Sequence, residues 1–451
     1  MSETSYAVRI WKTWVYRGKK RSTHYVRWTV EGESFKVGFV RAALAESFRA
    51  DLLAAARRGE AFRVADGRPV SMARANSSTT WLPFAIDYAA MKWPDASAGH
   101  RRSIAESLTT ATTALISGRR GRPADAELRA ALKVAFSRNL DADDRTARVL
   151  DWLARNTRPV ADLAQPDVVR AVLAALGTKL DGGRAAPDTL RRKRMTLTNA
   201  LAYAVERELL TGNPLADLRV AQKARGVREV DRRSVVNPVQ ARTLLNAVRT
   251  IRHDGPRLVA FFGLLYHAAL RPEEAAALGR EHLAIPADGW GELHLTAAVP
   301  DVGGEWTDSG RRGERRGLKH RGAGEGRIVP CTPELTALLH EHLRCFGTGP
   351  DGRLFRGSRN GGRVSSTLYG RIWAKARAAT FTPEVAASPL ARRPYDLRHA
   401  AVSTWLNAGI EAPRVAEWAG HSVAVLLRTY AKCLDGGERQ ARERLARALA
   451  G

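Results

Sequence analysis

The chain has 451 residues, 44% hydrophobic and 26% charged, enough for two or three ordinary domains that each bury a core. Lys and Arg number 73 against 46 Asp and Glu, a net charge of +27, and this excess points to a polyanionic partner, nucleic acid first. No window approaches the roughly 18 unbroken apolar residues of a membrane span, and MSETSYAVRIWKTW lacks the charged-then-apolar order of a signal peptide. Cys331, Cys345 and Cys433 are too few and too scattered for a disulfide framework or a paired metal site, so a cytoplasmic, reducing compartment is expected.

The cations come in clusters. Residues 1–70 hold 14 basic and 7 acidic side chains, Arg191, Arg192, Lys193 and Arg194 form an unbroken run, and 311–327 holds 7 basic against 2 acidic. Clustering favours phosphate contact over general solubility. In chain order, Tyr6, Val8 and Ile10, then Tyr25, Val26, Trp28 and Val30, alternate as in short strands. They are broken by turn-like segments at Arg17-Gly18-Lys19-Lys20-Arg21 and Glu31-Gly32, which predicts a small three-stranded sheet. Helical spacing over Arg41 to Arg58 predicts one helix covering it, and the polar, Gly- and Pro-containing stretch 64–79 reads as a linker.

From Trp81 to about Leu218 only helical patterns occur, broken at Trp93-Pro94, Gly118 to Pro123, Arg158-Pro159 and Asp181 to Pro187. The last of these helices opens at Pro187-Asp188, carries Leu190, Leu197, Leu201 and Val205 on its apolar face, and closes at Gly212-Asn213-Pro214. Its first turns carry the basic run 191–194, a solvated face or a surface for DNA. Residues 221–233 are polar and basic and mark the main domain boundary. A helical pattern from Val235 ends in the apolar segment Leu258 to Leu270; β-like stretches at Glu292 to Val299 and Gly326 to Pro330 flank a Gly/Arg-rich excursion, and helices follow. The expected fold is mostly α with small β elements.

Breaking a phosphodiester calls for a nucleophile, cations to hold the non-bridging oxygens and an acid for the leaving oxygen. Two arginines, a lysine and a tyrosine meet that need. Arg271 follows the apolar segment, with Glu274 three residues on, where it could orient the guanidinium. Tyr395-Asp396-Leu397-Arg398-His399 supplies a second arginine, and Trp418-Ala419-Gly420-His421-Ser422 is followed by Tyr430, nine residues beyond the histidine.

Over about 235–435 these elements resemble the tyrosine recombinase family, the phage integrases and their relatives. Boxes resembling G-L-R-x-x-E-x-x-x-L, H-x-L-R-H and L-G-H-x(8)-Y appear in the family's order, with a hairpin lysine, Lys319, between the first two. The resemblance implies that Arg271 and Arg398 clamp the scissile phosphate and that His421 donates a further hydrogen bond to it. Lys319 would protonate the departing 5′ oxygen. Tyr430 would attack phosphorus, leaving a 3′-phosphotyrosyl link. It implies no metal and no cofactor. Where the family usually carries the histidine of H-x-x-R this chain has Tyr395, a phenol that can donate a hydrogen bond but, with a pKa of about 10, accepts a proton poorly; the acceptor of the Tyr430 proton is therefore unassigned. His399, next to Arg398, matches a histidine the family often shows, and reads as a supporting helix-capping or packing residue rather than a contact to DNA.

The resemblance also implies an organisation: 1–65 an arm-type DNA-binding domain, 78–222 a helical core-binding domain and 234–451 the catalytic domain. Double-stranded DNA at crossover and arm sites is the expected partner, with a homotetramer on DNA and an excisionase or host DNA-bending protein as further partners, in a bacterial cytoplasm. DNA contacts are expected from Arg17, Lys19, Lys20 and Arg21, from Arg191, Arg192, Lys193 and Arg194, and from Arg321. The tail from Ala431 is helix-prone and would pack on a neighbouring subunit or on its own domain. Two other readings share these residues: a DNA-binding regulator that has kept the fold without the chemistry, and a type IB topoisomerase.

Overall fold

The computed structural model describes residues 4–17, 22–72, 79–138, 140–217, 229–319, 322, 324–357, 361–433, 442–443, 445–447 and 449–450. The chain divides into two compact units, Met1–Ala221 and Gln222–Gly451, and is mostly helical with three small sheets. Among the described residues no helix is long and apolar enough to cross a membrane.

In the first unit, β-branched and aromatic residues alternate along Ser22–Val30 (β4), so that Val26, Trp28 and Val30 point to one buried face. Glu31 and Gly32 both take positive φ, 52° and 84°, which matches the twist of a two-residue hairpin and returns the chain as Glu33–Phe39 (β5). The sheet has four strands where three were expected, because its first strand is interrupted: Val8–Ile10 (β2) and Trp14–Arg17 (β3) pair with successive parts of β4. The covering helix runs Ala42–Arg57 and buries Ala45, Phe48, Leu52 and Ala55, with Phe48 edge-on to Trp28 at 5.5 Å. Thr4–Ser5 (β1) pairs with Phe62–Arg63 (β6), and the stretch expected to be a linker is folded as far as Met72. The Trp28 indole N–H donates to the Gly67 carbonyl, Val64 and Met72 pack on the core, and Arg68 pairs with Glu208 at 3.0 Å. Six longer helices follow, the last of them Pro187–Glu206 with Pro187 in its first turn and Leu197 and Leu201 buried.

The second unit is built on the helix Gly255–His267, whose residues Leu258 to Tyr266 are all buried. The helices Pro238–Thr250, Pro333–Phe346 and Asp396–Asn407 pack around it. Beside them lies an antiparallel sheet in the order Leu283–Ala284 (β7), Gly291–Leu295 (β8), Arg327–Cys331 (β9). The β-like stretch expected to reach Val299 ends as a strand at Leu295; farther on, Ala298 and Arg316 exchange two backbone hydrogen bonds of 2.9 Å. The Gly/Arg-rich excursion is docked: Trp306 and Thr307 are buried, Arg316 pairs with Glu273 at 3.1 Å, and Asp301 accepts hydrogen bonds from Ser366 N–H and Oγ at the start of the helix Ser366–Thr380.

Candidate active site

The helix Gly255–His267 ends in Ala268-Ala269-Leu270, and Ala269 holds φ at 50°, a left-handed value that costs an L-residue roughly 1–2 kcal/mol. That turn reverses the chain so that Arg271 starts the short helix Pro272–Ala275. Glu274 then accepts from the Arg271 backbone N–H and from its Nη1, both at 2.8 Å. Strand periodicity brings in a third side chain. Along β9 the residues Arg327, Val329 and Cys331 all face inward and are buried. The Arg327 guanidinium donates from Nη1 and Nη2 to the two carboxylate oxygens of Glu274, at 2.9 and 2.8 Å. Burial alone would push the Glu274 carboxyl up; the Arg327 hydrogen bonds and charge, with Arg271 and Arg398 behind them, outweigh it and hold the group down at about 2.

Arg398 lies in the first turn of the helix Asp396–Asn407 and is wholly buried. Its Nη1 donates to the Ala269 carbonyl, and its Nη2 donates to the Ala419 carbonyl and, at 2.9 Å, to His421 Nε2. The helix Ala412–Ala419 is the anchor for all three arginines. The last carbonyls of a helix have no intrahelical partner, and they carry the negative end of its dipole. Here the carbonyls of Trp418, Ala419 and Gly420 accept from Arg327, Arg398 and Arg271 in turn, the first and last at 3.0 Å. Gly420 closes that helix in the left-handed region, φ 63°, and a Cβ there would stand 3.0 Å from Arg327 Nη1 and 3.4 Å from Arg271 Nη1.

The turn at Gly420 delivers His421. Burial first, then the charges of Arg398, Arg271 and Arg327, push its imidazole down to about 3, so it is neutral. Since Nε2 accepts from Arg398, the ring proton sits on Nδ1. That Nδ1 and Arg398 Nε are both buried and, among the described residues, have no hydrogen-bond partner, two donors for an oxygen acceptor. Ser422 then caps the helix Val423–Tyr430, at whose last residue the Tyr430 ring is 1% exposed. Burial pushes the Tyr430 phenol well above its ordinary value, with the Arg398 charge opposing. Its hydroxyl lies 2.9 Å from His399 Nδ1, within hydrogen-bonding distance.

The residues singled out in the sequence are thus distributed as follows. Arg271 pairs with Glu274, Arg398 with His421 and His399 with Tyr430; Arg271 and Arg398 share the helix end at Ala419 and Gly420, the His421 and Tyr430 rings lie 6.3 Å apart, and Tyr395 stands edge-on to His399 with ring centroids 5.1 Å apart. Lys319 is exposed in the turn before β9, and among the described residues no hydrogen bond or ion pair ties it to the cluster. Arg17, Arg191 and Arg192 are exposed; Lys193 is half-buried, donating to Thr110 Oγ1 at 3.2 Å, and Arg194 is half-buried. Lys19, Lys20, Arg21, Arg321 and most of the tail beyond Cys433 lie outside the described residues.

Two residues were under-read. Arg327 stands in the β-like stretch Gly326 to Pro330, and an arginine at an inward position of a strand needs buried acceptors, so that periodicity is the available signal. His399 sits inside its helix and packs, as one of the two expected roles has it, between the rings of Tyr395 and Tyr430; the 2.9 Å approach to the Tyr430 hydroxyl is a contact that no local pattern announces. The cluster as a whole holds three guanidiniums against one carboxylate, so a buried cluster with excess positive charge lies near the tyrosine, whose phenol feels the Arg398 and Arg271 charges. Such a cluster suits a phosphate, which forked guanidiniums bind through paired hydrogen bonds.

No protein-family model matches the chain, and no curated protein matches it. Among solved structures it is similar to the integrase of the Tn1549 transposon in complex with a circular intermediate DNA, at 15% identity and a TM-score of 0.46, over 68% of this chain and 95% of that one. It is similar also to the XerH site-specific recombinase bound to its difH substrate, at 12% identity and a TM-score of 0.41, over 77% of this chain and 94% of that one. A further likeness is to lambda integrase bound to DNA, at 15% identity and a TM-score of 0.41, over 65% of this chain and 90% of that one.

Proposed function

We propose that this chain is a site-specific DNA recombinase of the tyrosine type, an integrase that cuts and rejoins duplex DNA to insert or excise a mobile element. The observation that carries the reading is the convergence of Arg271, Arg398, His421 and Tyr430. They come from four elements spread over 160 residues and meet in one buried, positively charged cluster, with the His421 and Tyr430 rings 6.3 Å apart. Arg271 and Arg398 hold the non-bridging oxygens of the scissile phosphate, Arg398 Nε and His421 Nδ1 give it the donors they now leave unused, and Tyr430 attacks phosphorus. The developing charge is met by donors already in position, so little reorganisation is needed at the moment of reaction. The phosphoryl bond is conserved as a 3′-phosphotyrosyl ester, and the free 5′ hydroxyl can reverse the step without ATP.

Lys319 serves as acid to that 5′ oxygen once DNA draws its loop in; in the free protein it is exposed. The aromatic and basic outer face of the N-terminal sheet, with Arg17 at its edge, and the run 191–194 take the flanking duplex. Recombination joins four strands, so the working species is a tetramer on DNA.

The test uses a pool of random-sequence duplexes, each with a central nick, so that the short fragment released by cleavage diffuses away and the covalent species accumulates. The full chain should give a protein–DNA adduct stable in denaturant, absent for Tyr430→Phe, and sequencing of the trapped strands should return one motif. Binding to the pool with no adduct would leave a DNA-binding regulator. Adducts without any shared motif, together with relaxation of a plasmid, would make it a topoisomerase.

A further inference from the structure

The proton of Tyr430 needs somewhere to go. Burial in a pocket beside Val402, Leu426 and Cys433 keeps the phenol protonated, so attack requires an acceptor in contact with its oxygen. The chain has Tyr395 three residues before Arg398, and a second phenol near neutrality is no acceptor. His421 is excluded by its own bonds: its Nε2 lone pair is taken by Arg398, and three guanidiniums disfavour a charged ring. Glu274 is locked between Arg271 and Arg327.

We infer that His399, one residue beyond the catalytic arginine, is the general base that takes the proton of Tyr430. Its Nδ1 is 2.9 Å from the phenolic oxygen, inside the range for direct transfer. Neighbouring residues of a helix point about 100° apart. Arg398 therefore turns inward to the carbonyls of Ala269 and Ala419 while His399 faces the helix that ends in Tyr430. Tyr395, edge-on to the imidazole, sets the plane of the ring. This inference rests on the strand-transfer reading above.

The step balances. The Tyr430 O–H bond breaks and its proton passes to Nδ1 of the neutral imidazole, giving an imidazolium. The phenolic oxygen bonds to phosphorus as the bond to the 5′ oxygen breaks, and that oxygen takes a proton from the Lys319 ammonium. One cation forms as another is neutralised, and the net charge is unchanged. Rejoining runs the transfers backward, the imidazolium returning its proton to the tyrosine as it leaves.

The experiment compares full-length wild type, His399→Gln, His399→Ala and Tyr430→Phe on the nicked random-sequence pool, scoring adduct formation in a single turnover and DNA binding by mobility shift. Glutamine keeps a hydrogen-bond acceptor for Tyr430 but cannot take its proton. Both His399 variants should bind DNA as wild type does and form adduct slower by about 10²–10⁴-fold, the range that general-base catalysis supplies. Free imidazole should restore the Ala variant at least about tenfold by entering the space vacated. A Gln variant that reacts within threefold of wild type, or an Ala variant that is slow and indifferent to imidazole, would overturn the assignment. If wild type itself yields no adduct, the strand-transfer reading fails and this one with it; an active wild type with an unimpaired Gln variant removes only the role of His399.

Discussion

Glu274 offers the sharpest quantitative test of how the cationic cluster is held. Its carboxylate, 1% exposed, receives two hydrogen bonds from Arg327, one from the Arg271 side chain and one from the Arg271 backbone. The fall of its pKa from 4.5 to about 2 corresponds to roughly 3 kcal/mol of folded-state stabilisation, at about 1.4 kcal/mol for each tenfold change in proton affinity. Because the folded carboxyl holds its proton less tightly than the unfolded one, the contribution is complete above about pH 4.5 and is lost as pH falls through about 2. Glu274→Gln should therefore lower stability by roughly 3 kcal/mol at pH 7, and the gap to wild type should shrink to less than half by about pH 3, where the carboxyl of the unfolded chain is already protonated while the folded one is still mostly charged. Urea unfolding followed by hydrogen–deuterium exchange on peptides spanning 255–283 reads the unit that holds Glu274 apart from the rest of the chain. A gap below about 1 kcal/mol at pH 7, or one that does not narrow in acid, would show that the carboxylate does not organise the arginines electrostatically.

Three further outcomes follow from the same geometry. Gly420→Ala must bear a positive φ and place a methyl against the Arg327 and Arg271 guanidiniums; it should cost about 1 kcal/mol or more in a thermal melt and slow adduct formation with DNA binding kept, and wild-type cleavage would contradict the packing. Arg398→Lys keeps the charge but loses the fork that spans Ala269, Ala419 and His421; adduct formation should fall by about 10²–10³-fold, and a loss under tenfold would mean that charge alone suffices. Lys319→Ala should be slow on ordinary DNA yet near wild type on a duplex with sulfur in the bridging 5′ position, since a thiolate leaves without an acid. Equal slowing on both substrates would remove Lys319 from the reaction.

The sequence carried the site better than the fold around it. Arg271, Arg398, His421 and Tyr430 could be singled out because their short boxes stand along the chain in an order resembling that of the tyrosine recombinases, each box being weak by itself. The interruption of the first strand at Trp11 to Thr13, and the end of β8 at Leu295, are settled by pairing with distant partners, β4 and β9, so no local propensity could announce them. Arg327 escaped for the same reason. Its partner Glu274 is 53 residues away, and a cation in a basic stretch looks solvated until the strand's inward register is known. His399 escaped because its partner lies 31 residues on, at the end of the second helix after its own.

What joins these residues is the backbone from Trp418 to Gly420. Three orphan carbonyls at one helix end hold three guanidiniums drawn from a short helix, a strand and a longer helix, so the charges stand in place before any anion arrives. Lysine could not take part in the same way, since a single ammonium cannot reach a carbonyl on one side and leave a planar face of donors on the other. The same segment then turns at Gly420 and, ten residues later, presents Tyr430 to His399. Cation placement and nucleophile placement are therefore one structural event. A change in that segment that shifts the helix end should disturb the grip on phosphate and the aim of the tyrosine together, whereas His399→Gln should separate them, leaving phosphate contact intact and only the proton without a destination.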